Sequence, residues 1–133
     1  MSYNVYTVEY LGSPNHVGLF VETNTDKSGQ IFHVTGNLLT GMTYENKPAK
    51  RPEDSASYVP GSQKFVGRIA QSDMEKLDEL CRSVKPPEAQ LHLSGRPRNP
   101  SGRLRRCGEW VQEVKEKALA EGLIVPCGNQ LPA

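Results

Sequence analysis

The chain has 133 residues, 36% of them hydrophobic and 23% charged, and a formal net charge of +1. That length fits one domain with a single core and excludes two, and the near-neutral balance argues against a globally basic nucleic-acid binder. Three widely spaced cysteines make no disulfide framework, no apolar run approaches the roughly 18 residues that span a bilayer, and the opening Met1-Ser2-Tyr3-Asn4-Val5 lacks the pattern of a signal peptide. Free thiols in a cytoplasmic setting, without stable membrane insertion, are the expectation.

Tyr6, Val8 and Tyr10 alternate with Thr7 and Glu9, which predicts a half-buried strand. Gly12-Ser13-Pro14-Asn15 reads as a turn. His16 to Thr23 predicts a second strand with Val17, Leu19 and Val21 on one face and His16, Gly18 and Phe20 on the other. A turn-rich stretch leads into a third strand over Gln30 to Thr35, closing a hairpin. Met42 to Asn46 reads as a short strand. Lys47 to Gln63 carries Pro48, Pro52 and Pro60 among many charges and reads as an exposed, mobile loop. Lys64 to Ile69 returns to alternation and predicts a further strand.

Ser72-Asp73-Met74-Glu75 has the form of a capping box ahead of Met74, Leu77, Leu80, Cys81 and Val84 at helical spacing. Pro86-Pro87 ends that helix. Leu91 to Arg106 is a polar connection. A second helix is predicted from about Arg106 to Glu121, with Cys107, Trp110, Val111, Val114 and Ala118 as its apolar stripe and Gly122 as its C-terminal cap. Residues 123–133 read as an irregular tail. Strands first and helices last predict an α+β domain over 1–133, an antiparallel sheet packed against two or three helices.

Cys107 opens the second helix just after Arg105 and Arg106. Unpaired N–H groups and partial positive charge at a helix start, with arginines beside them, are features that favour thiolate over thiol. The plainer alternative is a structural cysteine on the helix's apolar stripe. A thiolate nucleophile needs a nearby base, and that base an orienting partner. With a four-residue loop, Asn24 to Lys27, Gly18 falls opposite His33, and His16 becomes its diagonal neighbour on one face, about 7–8 Å away. A six-residue loop keeps the two histidines on one face but farther apart, and a five-residue loop puts them on opposite faces. Gly18 leaves open space above the sheet where a cysteine would fit. Satisfied, half-buried strand histidines are the alternative.

The runs His16-Val-Gly-Leu-Phe-Val21, Gly29-Gln-Ile-Phe-His33-Val and Arg106-Cys107-Gly-Glu-Trp-Val111 resemble the circularly permuted papain-like fold of lecithin:retinol acyltransferase-like and NlpC-type proteins. In the acyltransferase branch a strand opens with a histidine in a His-Trp-Ala-like run. A Val-Ile-His-like run follows on the next strand, and a helix opens with Asn-Cys-Glu-His-Phe-Val. The matching positions are His16, His33 and Cys107, in the same chain order. The chain also looks like a set of small fungal proteins with a His-x-Gly/Ala-Ile/Leu-Phe opening and an Arg-x-Cys-x-x-Trp ending. The resemblance implies that Cys107 is the nucleophile, His16 the general base and His33 the group that orients it. Arg106 stands where that branch has Asn, the connection between the histidines is longer, and no hydrophobic anchor follows the helix.

Arg96, Arg98, Arg103, Arg105 and Arg106 fall within eleven residues that contain no acid. Guanidinium groups suit phosphate and carboxylate because they donate two parallel hydrogen bonds, so Arg103, Arg105 and Arg106 are candidates for holding an anionic substrate. A solvated loop is the alternative. Trp110, one turn after Cys107, is mostly core with an edge that would line a substrate groove. Cys81 reads as core, His92 as surface and Cys127 as incidental. No close Cys/His spacing supports a metal site, and no phosphate-loop pattern implies a cofactor. The expectation is cysteine-dependent acyl transfer or hydrolysis of a small-molecule or carrier-bound thioester, ester or amide. The rival is a non-catalytic module gripping an anionic ligand or RNA through Arg96 to Arg106, although no aromatic stacking platform accompanies the arginines.

Overall fold

The computed structural model describes residues 1–12, 15–99 and 104–126. Alternating apolar and polar residues build β1 (Ser2–Tyr10), β2 (His16–Glu22), β3 (Gly29–Asn37) and β4 (Gly41–Ala49), a run of consecutive hairpins. β5 (Lys64–Ala70) returns to pair with the free edge of β1, and β6 (Ile124–Val125) extends that side. The result is one six-stranded antiparallel sheet of order β4-β3-β2-β1-β5-β6. Two helices, α1 (Met74–Ser83) and α2 (Cys107–Ala120), complete an α+β fold.

The period of two divides the strands between two faces. Val5, Leu19, Val21, Phe32, Val34 and Ile69 point toward the helices and meet Leu77, Cys81, Trp110, Val111 and Val114 in the main core. Val8, Phe20 and Ile31 form a smaller cluster on the outer face, with Tyr6, Tyr10 and Ala49 around it. Burying a Leu, Val or Phe contributes roughly 1.5–3 kcal/mol, so the helix-covered face dominates stability.

Helix α2 is fixed at both ends. Glu109 accepts the backbone N–H of Arg106 at 2.7 Å. An arginine cannot supply the reciprocal acceptor, so only half of a capping box forms. At the other end Gly122 has φ +72°, its N–H bonds the Leu119 carbonyl at 3.1 Å, and Leu123 N–H bonds the Ala118 carbonyl at 2.9 Å. That is a Schellman closure, as the glycine predicts. No helix among the described residues is long and apolar enough to cross a membrane.

Three expectations need correction. Residues 47–63 are exposed over much of their length, as expected, but they are not one irregular loop. Residues 47–49 belong to β4, and the remainder crosses the outer face. There Val59 N–H bonds the Glu9 carbonyl at 3.0 Å, Leu11 N–H bonds the Ser57 carbonyl at 2.7 Å, and Pro52 and Ser62 are buried. Pro48 sits in a strand because β4 is an edge strand, where a missing N–H costs little. The Ser72 capping box does not form: Gln71–Asp73 is a 3-10 turn and Asp73 precedes the helix without a side-chain cap bond. The tail expected from 123 onward contains β6, whose Ile124 is fully buried. Cys127 lies outside the described residues.

Candidate functional site

The loop between β2 and β3 has the four-residue form. Thr23 and Asn24 donate to the Ser28 carbonyl at 3.1 and 3.0 Å, and the register runs from Glu22↔Gly29 to Leu19↔Phe32. Continued by one step, it sets Gly18 level with His33. His16 and His33 therefore share a face, and their rings meet: His16 Nε2 lies 2.8 Å from His33 Nδ1, with ring planes at 66°.

The next hairpin adds a third member. Gly36 and Gly41 take φ of +134° and +89°, and the Asn37 side chain accepts the N–H groups of Leu39 and Thr40 at 2.9 Å each. A side chain at position 36 would run into the Gly41 carbonyl, so the turn requires glycine there. This turn sets His33 directly opposite Glu45. Glu45 Oε1 lies 2.7 Å from His33 Nε2, and Lys47 Nζ is 3.5 Å from the same oxygen.

The chain of contacts dictates where the protons are. The His33 hydrogen bond holds the Glu45 carboxyl below the usual carboxylate range, with Lys47 assisting, so it can only accept. His33 must then carry its proton on Nε2. Burial pushes the imidazoliums of both histidines down; for His16 the neighbouring His33 and Lys47 add to it, while Glu45 only partly opposes the shift at His33. Neutral His33 has a lone pair on Nδ1, which accepts the Nε2 proton of His16. His16 is left with an unprotonated Nδ1 that makes no hydrogen bond to a described residue. The result is a neutral imidazole backed by a second imidazole and a carboxylate.

Cys107 enters where β2 and β3 separate. Thr23 N–H on the Ser28 carbonyl marks that pair as hydrogen-bonded, so Val21–Gln30, Leu19–Phe32 and then Val17–Val34 would exchange bonds in turn. The strands part beyond Leu19, and the sulfur takes the Val17 N–H at 3.4 Å, with the Asn15 carbonyl at 3.9 Å. The two residues flanking His16 thus hold the thiol by their backbones. No hydrogen bond joins Cys107 Sγ to the His16 ring. Both line one cleft of about 550 Å³, together with His33, Glu45, Lys47 and Arg106.

Other predicted site residues lie elsewhere. Arg105 turns away from the cleft to pair with Glu113 at 2.6 Å, and Gln90 grips its backbone from both sides. Arg98 donates to the Leu91 carbonyl at 3.2 Å, and Arg103 lies outside the described residues. The arginines therefore do not act as one cluster, because β-turn and helix-start backbone aim neighbouring side chains apart. Only Arg106 among these residues lines the cleft, and its guanidinium forms no ion pair or hydrogen bond with a described residue. Trp110 does not edge the groove. It is fully buried, stacked 5.5 Å from Tyr44, with its indole N–H on the Val84 carbonyl at 2.9 Å.

Gly18 leaves no open space for a cysteine, since a Cβ there would meet Ile31 Cδ1 at 2.7 Å and His33 Cβ at 3.6 Å. The thiol arrives in the plane of the sheet instead. Cys81 is core, its thiol pushed up to about 12 by burial. His92 sits in an exposed turn. Glu45 is the residue that sequence reading missed. Its signal was the Asn37-to-Gly41 turn, which fixes the pairing of β3 with β4.

A protein-family model described as a family of unknown function (DUF6540) matches residues 5–125. Searches of curated proteins and of solved structures found no match.

Proposed function

The chain belongs to the DUF6540 family of unknown function, and we propose that it is a thiol-dependent acyltransferase or hydrolase acting through Cys107 and His16. The observation that carries this reading is the unbroken series Glu45–His33–His16, with contacts of 2.7 and 2.8 Å, ending in a histidine that lines the same cleft as Cys107. A carboxylate-backed histidine pair, His33 buried and His16 half-buried, in a cleft shared with a thiol has the parts of general-base catalysis. The chain order His16, His33, Cys107 is that of the permuted papain-like enzymes, which adds support. The papain-like topology itself belongs to this proposal.

In the first half-reaction His16 Nδ1 takes the Cys107 proton and the sulfur attacks the carbonyl carbon of a thioester, ester or amide. The carbonyl electron pair moves to oxygen, and the free N–H groups at the start of α2 face the charge that develops there. Collapse breaks the bond to the leaving group, which receives the proton from His16, and an acyl-thioester on Cys107 remains. In the second half an acceptor (water, an amine or an alcohol) gives its proton to His16 and attacks the thioester; the C–S bond breaks, and His16 returns the proton to the departing sulfur, which restores the thiol. His33 holds His16 in the tautomer with a proton on Nε2, and Glu45 does the same for His33. The reaction requires the Cys107 thiol to leave the Val17 N–H and meet His16 Nδ1 within the cleft that both residues line, a tightening common when substrate enters an open site.

The test is alkylation by iodoacetamide with peptide mapping, combined with intact mass spectrometry after exposure to an activated acyl ester. Expected are Cys107 modified before Cys81 or Cys127, an acyl adduct on Cys107, and loss of both in His16→Ala. Cys107 reacting no faster than the other two cysteines overturns the reading. The rival, a non-catalytic module using the arginines together, loses ground because Arg98 and Arg105 are engaged elsewhere.

A further inference from the structure

The groups that line the cleft leave one charge unaccounted for. Its charged side chains are Glu45, Lys47 and Arg106, and its two histidines are neutral. Glu45 is engaged twice, by His33 at 2.7 Å and by Lys47 at 3.5 Å. Arg106 has no counter-ion among the described residues, although its neighbours show that this surface supplies them readily: Arg105 has Glu113, and Lys85 has Glu88. Two cations against one carboxylate leave the cleft at +1, and the excess sits on the residue directly before the thiol. The Arg106 backbone is pinned by Glu109 at 2.7 Å, so the start of the side chain is fixed relative to Cys107. A guanidinium with no partner among the described residues, carried from that fixed point, is a fork for a planar anion.

We infer that Arg106 binds a carboxylate on the acyl substrate, so the acyl group delivered to Cys107 comes from a compound bearing a free acid close to its reacting carbonyl. This rests on the thiol-enzyme reading and names the substrate class of that site. A singly charged carboxylate brings the cleft to neutrality, whereas a phosphate monoester would leave it negative. The acid group then anchors the substrate while its carbonyl lies over the sulfur. Lys47 has Glu45 3.5 Å away, which leaves Arg106 as the cleft cation without a carboxylate partner among the described residues.

Two alkylating agents of nearly the same shape separate the parts of this claim. Iodoacetamide is neutral and reports the thiol alone; iodoacetate carries the carboxylate. At Cys107 the rate ratio of iodoacetate to iodoacetamide is expected to exceed that of a free small-molecule thiol by about three- to fivefold at low salt. Arg106→Gln should bring the ratio down to the free-thiol value while iodoacetamide still modifies Cys107 first. Arg106→Lys should keep part of the preference, and Arg105→Gln, whose partner is Glu113, all of it. An unchanged ratio in Arg106→Gln overturns the inference and leaves the thiol enzyme standing. Loss of Cys107 selectivity toward iodoacetamide in the unaltered protein overturns both. Acetate should also protect Cys107 from iodoacetamide better than inorganic phosphate does at equal ionic strength. The reverse order overturns the carboxylate assignment.

Discussion

In the proposed reaction His16 is the base because of what stands behind it. Its Nε2 proton is committed to His33, whose own proton is committed to Glu45, so by elimination the free lone pair is on Nδ1. Removing the base should cost most. His16→Ala is expected to slow acyl transfer by roughly 10²–10⁴-fold, read as single-turnover acylation of Cys107. Glu45→Gln keeps the shape but removes the charge that fixes the His33 tautomer. It should reduce the rate less than His16→Ala and shift the pH–rate profile, whereas a merely structural Glu45 would leave the profile in place. Cys81 provides the internal control. Its thiol is pushed up to about 12 by burial in the core, so it should resist alkylation in the native protein and react only after unfolding.

Elements bring these residues together, and each does so by an identifiable device. The four-residue loop after β2 sets His16 and His33 on one face, and the glycine-flanked turn after β3 sets Glu45 across from His33. Gly36→Ala conflicts with both a φ of +134° and the Gly41 carbonyl. Its expected effect is therefore twofold, a lower melting temperature and a loss of acylation out of proportion to that loss of stability. Helix α2 carries Cys107 at its first turn, and Trp110 is what seats that turn on the sheet. Trp110→Ala should destabilise by roughly 3–5 kcal/mol through the cavity it leaves. Trp110→Phe, which strands the Val84 carbonyl, should cost about 1–3 kcal/mol. Denaturant titration distinguishes the two.

The whole molecule should be sensitive to acid for the same reason that the site is neutral. His16 and His33 have folded-state values below the ordinary 6.5, so the unfolded chain binds protons more readily than the native one. Their contribution is fully present above about pH 6.5 and is lost as pH falls through the lower folded-state values. Asp78 acts in the same direction at lower pH: burial alone would raise it, but hydrogen bonds from Tyr44, Arg82 and Asn46 outweigh that and hold it low. Melting temperature is therefore expected to decline in two stages, first below pH 6.5 and again toward the carboxylate range. Replacing both histidines with asparagine should remove the first stage. A flat response between pH 7 and 5 in the unaltered protein would contradict the buried, neutral assignment.

The elements themselves were legible from local pattern. Alternation marked the strands, helical spacing marked both helices, and Gly122 marked the end of α2. The pairing of His16 with His33 was legible only up to the length of one loop. Where local pattern misled, a partner distant in sequence had intervened. Prolines suggested a loop where an edge strand tolerates Pro48, Ser72 promised a cap that a 3-10 turn displaced, and an unpromising tail supplied β6 to the free side of β5. Sequence by itself determined that His16 shares a face of β2 with Gly18 and Phe20, because strand periodicity is a property of a few consecutive residues. Only the tertiary structure decided that Glu45 completes the series, that Arg106 and not its neighbours enters the cleft, and that Cys107 reaches β2 through the gap where β3 departs. Those are matters of register and of strand separation, and they depend on contacts between segments up to 92 residues apart.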